Sequence, residues 1–387
     1  MTEGSKVKIN AEMTLGELKS ALHQSPLHKS PGTDGLPIEF YIKMSEFQED
    51  DILLTFLHEV LIESYQNRIL PKSMRQIQIR FLFKKETNEE RMVPMNYRPI
   101  SLLNCDYKIL SKALANRLNP VMSELLDESQ SCVVGKQIAD PIQLVQSTIH
   151  HAKANNHKAA LMFLDFEKAF DSVSHSYTKE LMHHMNISDM DEDGKDDGFI
   201  RWAALAFTDT RASCIINGKL SKGFGLPGGG RQGDNLYPLL FALVAHGLKV
   251  LVDSSDIKGY EYLPGKTVKI KQYADDTALF LGSDTRQLNK YLKVINTFCT
   301  ASSMKINESK TDLMFIGSWA DNHPPPWPLP NPVPKKTQNA KRKTQNAKRK
   351  TQNAKRKTQV YAAQPHLPGP KLGTSTCHSA ERWLVMS

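Results

Sequence analysis

The chain has 387 residues, 40% of them hydrophobic, and carries 50 basic against 41 acidic side chains for a formal net charge of +9. That length supports a large core with room for two lobes, and it excludes a small disulfide-stapled fold. Five scattered cysteines (Cys105, Cys132, Cys214, Cys299 and Cys377), with no C-x-x-C and no cysteine–histidine zinc spacing, point to buried thiols in a reducing compartment.

The positive charge is local. Lys335 to Lys357 hold eleven basic residues and no acid, and without them 39 basic residues face 41 acidic ones, a net of −2. A polyanion partner for the folded part must therefore rest on locally placed charges. The N-terminal MTEGSKVKIN has no apolar segment, and the longest apolar stretch, YPLLFALVAHGLKVLV, is interrupted by His246 and Lys249. These features predict an intracellular protein, in cytoplasm or nucleus, with no membrane partner.

In chain order, Thr14 to Leu22 opens with a Thr14/Glu17 capping box and continues at helical spacing. Asp51 to Tyr65 and Tyr107 to Leu125 read as further amphipathic helices, with a strand at Ile77 to Phe83 between them. Ala159 to Phe166 reads as a buried strand that meets an aspartate, Asp165, near its end; Glu167 to Val173 then turns toward helix. The segment DMDEDGKDDGFI (Asp189 to Ile200) partly imitates a calcium loop, but Ile200 stands where a bidentate Glu is required, so it reads as a solvated acidic loop.

Ala212 to Ile216 and Lys219 to Phe224 form a hairpin through Asn217-Gly218, and the Gly-rich LPGGGRQGD feeds a helix from Asn235 to Val250. In KIKQYADDTALFLGS, Val268 and Ile270 alternate with Lys269 and Lys271, while Ala278 to Leu281 are continuously apolar. That pattern is a hairpin with Asp275 and Asp276 at its turn. From Trp319 onward, the proline-rich NHPPPWPLPNPVP and three copies of KTQNAKR, starting at Lys336, Lys343 and Lys350, predict disorder. Three identical copies suggest tandem duplication of the coding DNA; the functional alternative is a nuclear-localisation or RNA-binding arm.

Helices and strands are interspersed, which makes the fold class α+β. An aspartate at a strand end and a pair at a hairpin turn can converge on one sheet edge. Each alone is more simply a helix cap or a turn residue. Held together, three acids repel unless cations lie between them, and their hard oxygens suit magnesium. Two such ions, about 3.5 to 4 Å apart, activate an attacking hydroxyl and stabilise the leaving oxygen in phosphoryl transfer.

The stretches FLDFEKAFDSV, GGGRQGDNLYPLLFAL and QYADDTALFLG, in that order, resemble the palm of reverse transcriptases. HKSPGTDGLPIEFY, NYRPISLLNCDYKILSKALANRL, DESQSCVVGKQI and SSMKINESKTDLMFIG narrow the likeness to the polymerase of non-LTR (LINE-type) retrotransposons, over about residues 12 to 318. The resemblance implies a right-hand core with fingers at about 12–157 and an antiparallel palm at about 158–318. Residues 1–11 become an N-terminal extension and 319–387 a tail.

It also implies RNA-directed addition of deoxynucleotides to a primer 3′-hydroxyl, with two magnesium ions, or manganese as substitute, and an RNA template, a DNA primer and dNTPs as partners. Asp165 and Asp275 would be the principal metal ligands, with Asp276 beside them and the Phe166 carbonyl contributing. Phe170 would be the aromatic gate against a ribose 2′-hydroxyl. Lys84, in preference to Lys85, and Arg98 would hold the triphosphate, and Lys310 would protonate the leaving pyrophosphate. Gln232 and Gly233 would lie against the template and nascent pair, with Arg231 and Tyr273 also on template and primer.

The sequence departs from the family where Asp234 is followed by Asn235-Leu236-Tyr237-Pro238, and where Phe83 replaces a proline before Lys84. The likeness begins just before the first fingers motif and fades after Gly317, so an endonuclease and a thumb are expected to be missing and few nucleotides to be added per encounter. The alternative is an inactive, truncated retroelement relic with weak RNA binding.

Overall fold

A computed structural model describes residues 1–47, 51–84, 91–130 and 139–320. Lys85, the last eight residues of DESQSCVVGKQI, the proline-rich stretch and the KTQNAKR repeats lie outside the described residues. Eleven strands are described: β1 (Gln76–Phe83), β2 (Tyr97–Leu102), β3 (Lys158–Leu164), β4 (Arg211–Ile216), β5 (Lys219–Leu220), β6 (Phe224–Gly225), β7 (Tyr260–Leu263), β8 (Lys266–Val268), β9 (Ile270–Tyr273), β10 (Asp276–Leu281) and β11 (Asp312–Gly317).

The palm sheet is antiparallel throughout, in the order β11-β3-β10-β9. The fingers sheet runs β2-β1-β4-β5, with β6 also on β4, and its β1–β4 pair is parallel, so residues 211–225, expected in the palm, join strands of the fingers range instead. Side chains alternate across a strand, and both faces of the palm sheet are covered. Ala160, Met162 and Leu164 of β3 and Leu279 and Leu281 of β10 face the main core, which includes the helices Tyr237–Ser254 and Arg286–Ser302. Ala159, Leu161, Phe163, Ala278 and Phe280 face a second cluster with Ile142 and Val145 of helix Ala139–Ala154. Burial on both faces explains why ALFL is continuously apolar instead of alternating. Leu279, Phe280 and Leu281 are fully buried, and each contributes roughly 1.5–3 kcal/mol to holding the aspartate hairpin in place.

The capping box forms: Thr14 Oγ1 accepts from the Glu17 N–H, and Glu17 Oε2 accepts from the Thr14 N–H at 2.9 Å, at the start of helix Leu15–His23. The expected helix to Leu125 instead ends at Leu118 and continues through a 3-10 turn, Asn119–Val121, into Met122–Leu125. Pro120 breaks it, because proline has no N–H to donate into the preceding turn. β3 stops at Leu164, so Asp165 lies just beyond the ladder and Phe166 bridges Ile306 instead. The second arm of the Asn217-Gly218 hairpin splits into β5 and β6, with Ser221 between them exchanging hydrogen bonds with Cys214.

The acidic segment at Asp189 to Ile200 is not simply solvated. Asp191 pairs with Arg68 and Arg201, and Asp196 pairs with Lys179 and His183, so the loop ties together helices Ile52–Asn67, His175–His184 and Gly198–Leu205. Residues 3–10 form a helix rather than a loose extension. Its Ile9 is buried, and its Asn10 donates to the Ile187 carbonyl and accepts from the Phe199 N–H. Helix Tyr237–Ser254 is long and apolar enough to cross a bilayer by length and composition, but 61% of it is buried inside the domain.

Candidate active site

The carboxylate edge follows from strand register. Thr277 of β10 lies opposite Leu164 of β3, so Asp276, the first residue of β10, and Asp165, the residue after β3, lie at the same end of the two paired strands. Asp276 in turn pairs with Tyr273 of β9, leaving Ala274-Asp275 as a two-residue turn. Ala274 takes φ +52°, a conformation that L-residues rarely adopt. Its N–H is held at 3.1 Å by the side-chain oxygen of the fully buried Gln130. The Gln272 N–H donates to the Ser129 carbonyl at 2.7 Å, and Gln272 Nε2 donates to the Ala245 carbonyl at 2.9 Å. The start of DESQSCVVGKQI thus braces the turn that carries Asp275.

Asp165 is fixed through its backbone. Its N–H donates to Thr311 Oγ1 at 3.3 Å and its carbonyl accepts from the Asn307 N–H at 2.8 Å. The same clamp brings Lys310 Nζ to 3.7 Å from Asp165 Oδ2, with the lysine side chain 60% exposed and the aspartate 12%. Phe166 is buried against Phe298. Every donor gathered at this edge is a hard oxygen, and a cationic ammonium already stands beside one of them; both features fit a divalent ion of the magnesium class. Among the described residues no three His, Cys, Asp or Glu side chains form a group able to hold a metal ion. Sites for magnesium commonly use one or two carboxylates, with substrate phosphates and water supplying the remaining oxygens.

Phe170 lies on the short helix Ala169–Ser172, its ring stacked on Phe241 at 4.3 Å and 17° and edge-on to Tyr237 at 6.0 Å. The Gly-rich loop is laid directly against this helix. The Gly229 N–H donates to the Val173 carbonyl at 2.7 Å and the Gly230 N–H to the Phe170 carbonyl at 3.0 Å. A Cβ at Gly230 would stand 1.9 Å from the Tyr237 ring, and one at Gly229, where φ is +72°, would stand 2.5 Å from the Asp171 backbone. Only glycine fits at these two positions. Tyr237, part of the departure from the family pattern, is therefore the surface on which Gly230 rests. From the other side, His175 Nε2 meets the Gly229 carbonyl at 2.7 Å with its ring stacked on Phe207. Burial pushes the His175 pKa down, which favours the neutral ring.

Arg231 does not reach outward to a template. It is 4% exposed, and its guanidinium donates to the carbonyls of Met74 and Ala206 and to Thr210 Oγ1 while lying 3.8 Å over the Tyr107 ring. The Tyr107 hydroxyl donates to Asp234, whose other oxygen accepts from the Leu236 N–H. Arg231 and Asp234 thus lock the loop on both sides of Gln232 and Gly233. Gly233 is exposed, takes φ +100°, and approaches the Ser101 carbonyl of β2. Gln232 Nε2 donates to the Asp171 carboxylate at 3.2 and 3.4 Å.

Lys84 and Arg98 are both exposed on the fingers hairpin. The Lys84 N–H donates to the Asn96 carbonyl at 2.8 Å, and Arg98 lies opposite Leu82. The Lys84 charge is close enough to act on Asp171. Tyr273 is half-buried beside Asp276. Sequence reasoning missed Gln130, Gln272, His175 and Asp171. Each lies in or beside a stretch singled out for other reasons, and Asp171 directly follows Phe170.

The model of the reverse transcriptase (RNA-dependent DNA polymerase) family matches residues 83–363, past Gly317 where the recognised motifs end. The chain belongs to this family. It is 32% identical over 327 residues to the Transposon TX1 uncharacterized 149 kDa protein of Xenopus laevis, covering 84% of this chain and 24% of that one. It is 25% identical over 307 residues to the probable RNA-directed DNA polymerase from transposon BS of Drosophila melanogaster, covering 76% and 31%. To the retrovirus-related Pol polyprotein from the type-2 retrotransposable element R2DM of the same fly it is 26% identical over 287 residues, covering 73% and 25%. The chain therefore spans between 24% and 31% of the length of these relatives. Divalent metal use is a general property of the family.

Proposed function

We propose that the chain is an RNA-directed DNA polymerase that extends a primer 3′-hydroxyl with deoxynucleotides. The observation that carries this reading is the register pairing Thr277 with Leu164, which puts Asp165 and Asp276 at the same end of two neighbouring strands, with Asp275 at the adjoining turn and Phe170 packed against Phe241. Asp165, Asp275, Asp276 and the Phe166 carbonyl would hold two magnesium ions, which when bound supply charge neutralisation at the attacking and leaving oxygens.

The chain's own groups do the rest. Lys84 and Arg98 grip the triphosphate, and the guanidinium fork suits phosphate oxygens. The primer oxygen bonds to the α-phosphorus as the bond to pyrophosphate breaks; the 3′-hydroxyl proton leaves to solvent and Lys310 gives one to the pyrophosphate. Lys310, now 3.7 Å from Asp165 Oδ2 and 60% exposed, would have the reach to do this if bound cations took over its charge at that carboxylate. Phe170, wedged between Phe241 and Tyr237, cannot retreat from a 2′-hydroxyl. Gln232 and Gly233 lie against template and nascent pair, with Tyr273 on the primer side.

Primer extension on an RNA template with magnesium and dNTPs, comparing the chain with its Asp275→Asn variant, tests this reading. Synthesis by the unaltered chain alone is the expected result. Equal synthesis by both proteins, or none from a folded wild type, would overturn it.

A further inference from the structure

Resting on the polymerase reading above, we propose that Asp171 is a positioning residue that sets the orientation of the Gln232 amide. Nothing in the active-site chemistry requires a carboxylate here. Asp171 is too far along the chain to join Asp165 at the strand end, since the left-handed Lys168 (φ +46°) and the turn into helix Ala169–Ser172 intervene. Its neighbours show what it does instead. The Gly-rich loop sits on it: Gly229 has no room for a Cβ over the Asp171 backbone, and Gln232 Nε2 forks across the two carboxylate oxygens at 3.2 and 3.4 Å.

An ionised carboxylate accepts hydrogen bonds and donates none. It therefore selects one of the two faces of the Gln232 amide, drawing the NH2 group inward and turning the Oε1 acceptor away from the helix, toward the nascent pair. The rest of the loop leaves this as the one open choice. Arg231 and Asp234 are buried and bonded on either side of Gln232 and Gly233, so the loop backbone is already fixed. The residue as a whole is open to solvent, yet packing around its carboxyl pushes the Asp171 pKa up. The Gln232 hydrogen bond and the charges of Lys168 and Lys84 pull it back down. Lys84 comes from the fingers and Gln232 from the palm loop, so Asp171 is where the two lobes meet at the nucleotide.

The test is a double-mutant cycle of Asp171→Asn and Gln232→Ala. The measured quantity is the Kd of the next complementary and of a mismatched dNTP on a chain-terminated primer annealed to an RNA template. An asparagine keeps the shape of Asp171 but can donate to Oε1 and so removes the orientation preference. D171N is expected to weaken the complementary dNTP about tenfold and to narrow the gap between match and mismatch, and extension of an unterminated primer should show the loss in KM more than in kcat. The double variant should be no worse than Q232A alone, because Asp171 acts through Gln232. Losses that multiply in the double variant, or D171N behaving as wild type, would remove this role and leave the polymerase intact. A wild type that binds no dNTP would overturn the polymerase reading and this one with it.

Discussion

Around Arg231, three guanidinium hydrogen bonds end on the protein's own acceptors, Tyr107 lies under the charge, and Asp234 closes the loop from its far side. Around Asp165 the backbone is equally fixed, but the carboxylate faces the solvent-exposed Lys310 at 3.7 Å, and Asp275 sits on a two-residue turn at the sheet edge. The two regions border one domain core, yet at one the two terminal guanidinium nitrogens are spent on internal acceptors, with only the buried Nε left over, and the other presents hard oxygens at an edge. A buried charge without partners is costly, so a guanidinium whose terminal nitrogens all end on the protein's own acceptors reports a structural duty. Carboxylates gathered at a strand end beside a long cationic side chain form a site where a partner can be exchanged.

Substitutions should therefore separate the regions by what they damage. The largest effect is expected at the edge. Asp275→Asn should lower primer extension about a thousandfold or more, with the melting temperature close to wild type, because the hairpin is held by Leu279, Phe280 and Leu281 rather than by its turn. A variant that unfolds would place Asp275 among the structural residues and break the contrast.

Arg231→Met should do the reverse. It strands the Met74 carbonyl and takes the cation away from the Tyr107 ring, while the Thr210 hydroxyl goes on donating to the Ala206 carbonyl, at a cost of about 1–3 kcal/mol. Denaturant unfolding would read this directly. Unchanged stability with lost template binding would restore Arg231 to the template contact that its place beside Gln232 had suggested.

Phe170 belongs to both regions, since it is core on one side and gate on the other. Phe170→Val should raise the use of ribonucleotides relative to deoxynucleotides about tenfold, measured as the ratio of kcat/KM values for one base on one template. If the ratio stays fixed while both rates fall, the ring is only a core aromatic.

The same contrast explains what could be read before the fold was seen. The hairpin arms, the capping box at Thr14 and the positions of Asp165, Asp275 and Asp276 depend on local spacing, and local spacing is visible in a sequence. The inward turn of Arg231 is not, because RQGD gives no sign that Met74, Ala206 and Tyr107 will close around it. The acidic loop misled for the same reason: Arg68 and Arg201, which pair with Asp191, are placed by tertiary packing. The parallel pairing of β1 with β4 likewise joins strands more than a hundred residues apart. Asp171 was visible but unremarkable, since its partner lies on a loop about sixty residues later.

Asp106 gives the smallest and sharpest test of how far the Arg231 network extends. It occupies the first turn of helix Cys105–Leu118, where a negative charge gains about 0.3–1 kcal/mol from the helix dipole. Its Oδ1 accepts from the Tyr107 N–H at 2.6 Å. Burial nevertheless pushes its pKa from 3.8 up to about 6, helped by nearby Asp34 and opposed by that backbone hydrogen bond and by the Arg231 charge. The folded state therefore holds this proton more tightly than the unfolded one. The stability that the protonated group contributes is complete below 3.8 and is lost as pH rises through about 6. Asp106→Asn removes the titration, so it should melt about 2–4 °C above wild type at pH 8, with the gap shrinking as pH falls and closing below about 3.8. Equal melting at pH 8 and below 3.8 would mean that the helix dipole and Arg231 already compensate the buried charge. The Arg231 network would then reach past Tyr107 to the start of the helix.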